Sequence, residues 1–347
     1  MRILITCIGG FYSYDLVRAI RLRKKCFILG VDRNPDTNAF FVNQFISVPD
    51  PNKNELNFIN TLIKICKKFK IKIILPGSDK ETFLISKYLA KFKKFKILTP
   101  VSDFNIVKII NDKFKLFKFL SNSGIDVGKF QKINSLKELK KYLSRFEYPS
   151  KKVIIKPTNS SGSRGVLILD KNIKKFRYLL KDQSRFCGIG SINAIEKELV
   201  LKKYKIRNYM IMPYHENETY DVDCLAEKGE LKLCIPRLRI YKNPLSPINE
   251  GCQITNRKII NNYCSKILKK LKIDSICDFD IVIRADKKPQ ILDVGCRLSG
   301  SSTASLPIGI NVPYNLIKIL TKKKKLDKIN IDKDRLVFPK SRYELVR

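Results

Sequence analysis

Over its first hundred residues the chain alternates short apolar runs with amphipathic ones, a pattern that a parallel sheet covered by helices satisfies. Arg2 to Ile8, Cys26 to Val31 and Ile71 to Leu75 read as strands, and Tyr14 to Arg23, Leu56 to Phe69 and Glu81 to Phe92 as helices. Parallel strands need crossover helices, so the expected unit is a doubly wound α/β domain with its crevice beyond the strand C-termini. Gly9-Gly10, Asp32-Arg33-Asn34 and Pro76-Gly77-Ser78-Asp79 fall there. The first loop is not GxGxxG, so dinucleotide binding has little support.

With 347 residues, 44% of them hydrophobic, the chain can bury a large core in two or three subdomains, which excludes disorder, collagen and a disulfide-stapled miniprotein. No apolar run approaches the ~20 residues of a membrane span and no signal peptide is recognisable, so the expectation is cytoplasmic. The 10 cysteines include no CxxC pair and mostly occupy apolar runs, as reduced core residues do. His215 is the 1 histidine, which excludes a His-rich zinc site. Lys+Arg of 70 against Asp+Glu of 32 gives a net charge of +38. The lysines are scattered along amphipathic helices, as solvated faces are; an anionic partner or substrate is the alternative. No nucleic-acid motif accompanies them, so nucleic acid is not an expected partner. The densest run, Lys322 to Lys325, reads as an exposed terminus.

After a helix over Lys113 to Asn122 and another over Leu136 to Ser144, the apolar strand Lys152 to Lys156 runs into Thr158-Asn-Ser-Ser-Gly-Ser-Arg-Gly165 and a second strand, Val166 to Leu169. Such a loop can close backbone N–H groups and hydroxyls over phosphates, with Lys156 as a fixed charge. A flexible hairpin with a surface lysine fits the same residues.

Asp278 to Arg284 and Gln290 to Arg297 form a hairpin around Ala285-Asp-Lys-Lys-Pro289. With Asp286 and Lys287 at the turn centre, Asp280 lies opposite Asp293 and Asp278 opposite Gly295, and Arg297 shares their face. Carboxylates so placed repel unless a cation lies among them, and oxygen-only ligands suit Mg²⁺. A solvated acidic face paired with lysines is the other reading.

The order of these parts resembles the ATP-grasp superfamily, in its carbamoyl-phosphate-synthase-like and amino-acid ligase branch. The resemblance rests on "ILITCIGG", "ILPGSDKETF", "NDKFKLFKFLSNSGI", "VIIKPTNSSGSRGV", "YMIMPY", "YDVDCL" and "FDIVIRADKKPQILDVGCRLSGSS". It implies an N-terminal doubly wound parallel-sheet pre-ATP-grasp domain (1–100), linker helices and an α+β lid (101–210), an α+β core (211–325) and a tail (326–347). It further implies an ADP-forming carboxylate–amine ligase working through an acyl phosphate, with ATP and Mg²⁺ (or Mn²⁺) as cofactors. Its partners would be small-molecule carboxylate and amine substrates, and a second copy of the chain is a candidate. Lys113 and Lys156 would contact phosphates under the loop of Ser161, Gly162, Ser163 and Gly165, while Met210, Ile211 and Met212 would meet adenine. Asp280 and Asp293 match the family's Mg²⁺ ligands and Arg297 its arginine near the transferred phosphoryl group; Arg237 and Arg239 would reach the γ-phosphate or an acidic substrate, or belong to an ordinary surface strand.

Two positions depart from the family pattern. Asp293-Val-Gly295-Cys-Arg297 stands for Glu-x-Asn-x-Arg, and Asp278 is the expected source of the lost oxygen. Pro213 replaces the usual hinge Glu, which shifts the ribose-holding role to Glu218 or leaves Thr219 in its place. These departures keep a weakened nucleotide-binding protein open as the alternative to an active ligase, with a basic nucleic-acid-binding protein behind it.

Overall fold

Three sheets organise the chain in the computed structural model, which describes residues 1–240, 251–322, 325–327 and 331–339. Lys323 and Lys324 of the expected basic terminus lie outside the described residues. The first sheet holds β1 (Arg2–Thr6), β2 (Phe27–Asp32), β3 (Gln44–Ser47) and β4 (Ile73–Leu75), all parallel, in the order β3-β2-β1-β4. Its helices are α1 (Ser13–Arg23), α2 (Glu55–Lys68), α3 (Asp79–Lys87) and α4 (Leu89–Lys94). Ile3, Leu4, Ile5, Ile28 and Leu29 are buried on both faces, the reason these strands read as unbroken apolar runs. The four-residue β3 is an edge strand with no such run, and the sequence reading misses it. The helix expected over Glu81 to Phe92 is two helices, broken where Tyr88 leaves helical geometry at φ −109, ψ 23.

The second sheet follows α5 (Phe104–Ile110) and α6 (Lys113–Asn122). It contains β5 (Gln131–Ile133), then, after α7 (Leu136–Tyr142), β6 (Val153–Pro157), β7 (Leu167–Leu169), β8 (Arg177–Tyr178) and β9 (Gly188–Gly190), and, after α8 (Ile192–Leu201), β10 (Tyr209–Pro213). The order is β5-β10-β6-β7-β9-β8, so β10 crosses position 210 as an interior strand.

The third sheet is antiparallel throughout: β11 (Thr219–Glu227), β12 (Glu230–Arg239), β13 (Cys252–Ile254), β14 (Ser275–Ile283), β15 (Pro289–Gly295) and β16 (Arg335–Val337), ordered β15-β14-β11-β12-β13-β16. The helix α9 (Lys258–Leu271) lays Ile260, Cys264, Ile267, Leu268 and Leu271, spaced along one stripe, into the same core as Tyr220, Val222, Cys224 and Phe279. On the opposite face Leu225, Leu233, Ile235 and Ile276 share a core with α10 (Val312–Leu320) and with Ile3 and Ile5 of β1. Asn311 Nδ2 donates to the Ala19 carbonyl at 2.7 Å, tying the start of α10 to α1.

At the mouth of the first sheet Glu81 is buried and its Oε2 accepts from Thr6 Oγ1 at 2.6 Å, while Thr6 Oγ1 accepts from Gly77 N at 3.1 Å. A Cβ on Gly77 would come within 2.3 Å of the Thr6 carbonyl, so only glycine lets this loop lie so close to β1. Burial pushes the Glu81 carboxyl up to about 7. The folded state therefore binds the extra proton between the ordinary value of 4.5 and about 7, and stability falls as pH rises through that window. Glu81→Gln keeps the acceptor without the charge. It is expected to be more stable than wild type at pH 8, by up to roughly 3 kcal/mol from the unit-to-energy conversion, with the difference closing toward pH 4.5 in urea titrations; parallel pH profiles would contradict this.

Candidate active site

Period-two alternation and direct pairing bring the charged residues of the third sheet onto one face. Arg237, Asp221, Asp280 and Asp293 form one row across β12, β11, β14 and β15, and Asp223, Asp278 and Gly295 form the next. Asp280 is opposite Asp293 and Asp278 opposite Gly295, as expected, but by a different route. Arg284 and Lys288 close a loop of Ala285, Asp286 and Lys287, with Lys287 left-handed at φ 64, which offsets the register at the turn. A bulge after Asp280 offsets it back.

Each carboxylate on this face has a cationic neighbour. Arg239 grips Asp221 with two bonds of 2.7 and 2.6 Å and reaches Asp280 at 3.0 Å. Arg297 lies 3.2 Å from Asp278 and 3.2 Å from Asp79 at the start of α3, so it joins the third sheet to the N-terminal domain. Lys113, the first residue of α6, sits 3.1 Å from Asp293 and donates to the Ser160 carbonyl at 2.6 Å. Lys156 is buried on β6 and donates to the Leu292 carbonyl at 2.5 Å.

Burial sets the titration of these groups. It pushes Asp280 up to about 6 against the pull of Arg239, and Asp278 well above the carboxylate range against the pull of Arg297. It pulls Lys156 down to about 8, opposed by Asp293. Asp221 is also desolvated, but the Arg239 ion pair outweighs that and holds its carboxyl below the usual value. Asp278 Oδ1 is buried without a hydrogen-bond partner. A cluster of carboxylate oxygens including one orphaned atom fits a hard, oxygen-seeking cation such as Mg²⁺.

The loop between β6 and β7 faces this cluster through Lys113 and Ser160. Gly162, Ser163 and Gly165 have φ of +63, 61 and +75, and a Cβ on Gly165 would meet Tyr209 Oη at 2.6 Å, so the loop needs glycine there. Arg164 donates to the Ser161 carbonyl at 3.0 Å, and Arg185, after β8, donates to the Gly162 carbonyl at 3.2 Å. These two arginines hold the loop's shape.

Other expected site residues lie elsewhere. Arg237 is completely buried, paired with Asp223 at 2.5 Å and donating to the Ser301 carbonyl at 2.5 Å and Ser299 Oγ at 3.3 Å; it lies beneath the site and cannot offer its guanidinium to a γ-phosphate in this arrangement. Met210 and Met212 are fully buried in the core shared with α6 and α9, and the backbone of Tyr209 to Ile211 is paired with both β5 and β6, which leaves only the β10 edge beyond Ile211 to meet a ligand. Glu218 accepts from Tyr220 Oη at 2.8 Å and pairs with Arg257 at 3.2 Å, lining a cavity of about 470 Å³ beside the start of α9. Tyr220 belongs to the α9 face of β11, so Glu218 is turned away from the carboxylate face.

The family model for ATP-grasp in the biosynthetic pathway with Ter operon matches residues 205–339. The fold is similar to that of the ADP complex of N5-carboxyaminoimidazole synthetase from Staphylococcus aureus, at TM-score 0.69 and 11% identity over 96% of this chain and 81% of that one. It is similar as well to L-amino acid ligase from Bacillus licheniformis, at TM-score 0.61 and 12% identity over 92% and 74%. Biotin carboxylase from Campylobacter jejuni gives TM-score 0.64 and 14% identity over 94% and 72%. The chain shares the fold of these three structures. No curated protein matches its sequence.

The sequence reading gave no site role to Asp221 or Asp223, and placed Asp79 in a crevice loop without a partner. The first two carried a signal: Tyr-Asp-Val-Asp alternates on one strand with the parity that later proves to be that of Asp278 and Asp280. Because Asp223 and Arg237 are both fully buried, removing one partner strands the other. Arg237→Ala is expected to cost about 3–5 kcal/mol in urea unfolding, while Asp223→Leu combined with Arg237→Met recovers most of it; a loss below about 1 kcal/mol in the single variant would show that the pair is not uncompensated when broken.

Proposed function

We propose that this chain is an ATP-dependent carboxylate–amine ligase that activates a carboxylate as an acyl phosphate and releases ADP and phosphate. The observation that carries the reading is the meeting of Lys113 and Lys156 with Asp293, Asp280 and Asp278 beneath a glycine-containing loop. Phosphoryl transfer needs positioned charge and dry surroundings rather than a side-chain nucleophile, in keeping with 1 histidine in the chain.

In this mechanism Lys113 and Lys156 neutralise phosphate oxygens, and the Ser161 to Gly165 loop closes over them and excludes water from the acyl phosphate. Asp280, Asp293 and Asp278 would hold Mg²⁺, which supplies further neutralisation of the triphosphate. Arg297 orients the transferred phosphoryl group, and its bond to Asp79 couples that position to the loop where a substrate from the N-terminal crevice would lie. An amine then displaces phosphate. The residues around Gly9, Asp32 and Ser78 are the proposed substrate side, and the positive charge favours an anionic substrate.

Gly295 supports a second reading, a nucleotide-binding protein with weakened turnover. A Cβ there would make only ordinary contact with the Arg297 guanidinium, at 3.5 Å, so what glycine removes is a side-chain oxygen beside Asp278, whose carboxylate pairs with Arg297 instead.

Calorimetric titration of ATP with and without Mg²⁺ tests the site first. Binding is expected to require Mg²⁺ and to weaken at least tenfold in Lys156→Ala and in Asp293→Ala, and unchanged binding in both folded variants would overturn it. Hydroxylamine as a surrogate amine separates the two readings: hydroxamate formed from a carboxylate panel, and abolished by Asp278→Ala, supports the ligase, whereas Mg²⁺-dependent binding without hydroxamate supports the weakened protein.

A further inference from the structure

On the α9 face of the third sheet, away from the carboxylates, lie three sulfurs that the ligase reading does not use. Cys224 on β11 and Cys234 on β12 are direct cross-strand partners with their Sγ atoms 3.6 Å apart, and Cys264 of α9 points at both. The three Sγ atoms all lie within 4.8 Å of one another, and the cysteines are free. Bonds from one centre to three sulfurs at about 2.3 Å hold those sulfurs roughly 3.5–4 Å apart; the Cys224–Cys234 pair already has that spacing, and Cys264 lies within 4.8 Å of both.

The surroundings choose the ion. Val222, Ala226, Ile260, Leu268 and Phe279 belong to the same buried core, and net charge is expensive in such a place. Three thiolates around a monovalent ion leave two negative charges, and around a divalent ion one. Zinc also wants a fourth ligand, and Cys277, the cross-strand partner of Cys224 on β14, is not one of the sulfurs in this cluster. A trivalent centre needs three sulfurs only and leaves no charge.

We propose that Cys224, Cys234 and Cys264 form a binding site for a thiophilic trivalent oxyacid of the arsenite class, held as a neutral tris-thiolate. Each of the three hydroxides on the ion leaves as water with one thiol proton while a sulfur bond forms, so three waters are released and nothing is oxidised or reduced. Cys234 is 5% exposed and the other two are 0%, which makes it the entry point. The bound ion staples α9 to β11 and β12, and β11 carries Asp221 and Asp223 on its other face.

The test uses sodium arsenite on the full chain, added to native protein and, separately, during refolding so that slow entry cannot hide binding. The expected result is one arsenic per chain by native mass spectrometry, three fewer titratable thiols and a raised unfolding temperature. Cys234→Ala and the volume-conserving Cys264→Val, each checked for folding by circular dichroism, should bind at least 100-fold more weakly, and Cys66→Ala in the N-terminal domain should bind as wild type. Absence of uptake in both native and refolded wild type would overturn the site. So would retained affinity in both variants, or displacement of arsenite from the same thiols by equimolar Zn²⁺.

Discussion

Repulsion among Asp221, Asp223, Asp278, Asp280 and Asp293, crowded on one sheet face, is the constraint that the rest of the molecule accommodates. At the separations of neighbouring strands, such charges in a weakly solvated place cost far more than in water. Cations answer them from every direction: Arg237 and Arg239 from β12, Arg297 from beyond β15, Lys113 from α6 and Lys156 from β6. The second sheet and the N-terminal domain are thus held to the third sheet partly by these polar contacts.

The charged face is graded from inside to outside. Asp223 and Arg237 at its inner end are wholly buried next to apolar Leu225 and Ile235, and their role is to hold the Ser299 to Ser301 segment in place. Asp293 and Asp280 toward the rim are about one third exposed at 32% and 33%, open to a ligand from the cleft. Arg297 spans the boundary between domains, pairing with Asp79 at the start of α3 on one side and with Asp278 on the other. On the opposite face α9 and its sulfurs complete a layer that never meets the solvent of the cleft.

Much of this was legible beforehand because local rules govern it. The apolar runs of β1, β2 and β4 and the stripe of α6 follow from burial and periodicity alone, and the alternation in β14 and β15 puts their aspartates on one face whatever the turn does. The hairpin shows the limit: its turn and its bulge each depart from the simple register, and only their cancellation leaves Asp280 opposite Asp293. Edge strand β3 and the break at Tyr88 left no periodic signal. The burial of Arg237, Met210 and Met212 and the turning of Glu218 toward α9 depend on what packs above each strand, which no spacing encodes.

By itself, the sequence determined the parallel N-terminal sheet, the strand with Lys156 that runs into the glycine-containing loop, and the shared face of Asp278, Asp280 and Asp293, since side-chain periodicity within one strand or helix needs no knowledge of its neighbours. Tertiary structure alone decided which charges answer one another. Asp223 with Arg237, Lys113 with Asp293 and Arg297 with both Asp79 and Asp278 join residues 14 to 218 positions apart in sequence once the strands pair and the sheets stack, and ion pairing at a few ångströms is a property of that arrangement rather than of the chain's local order.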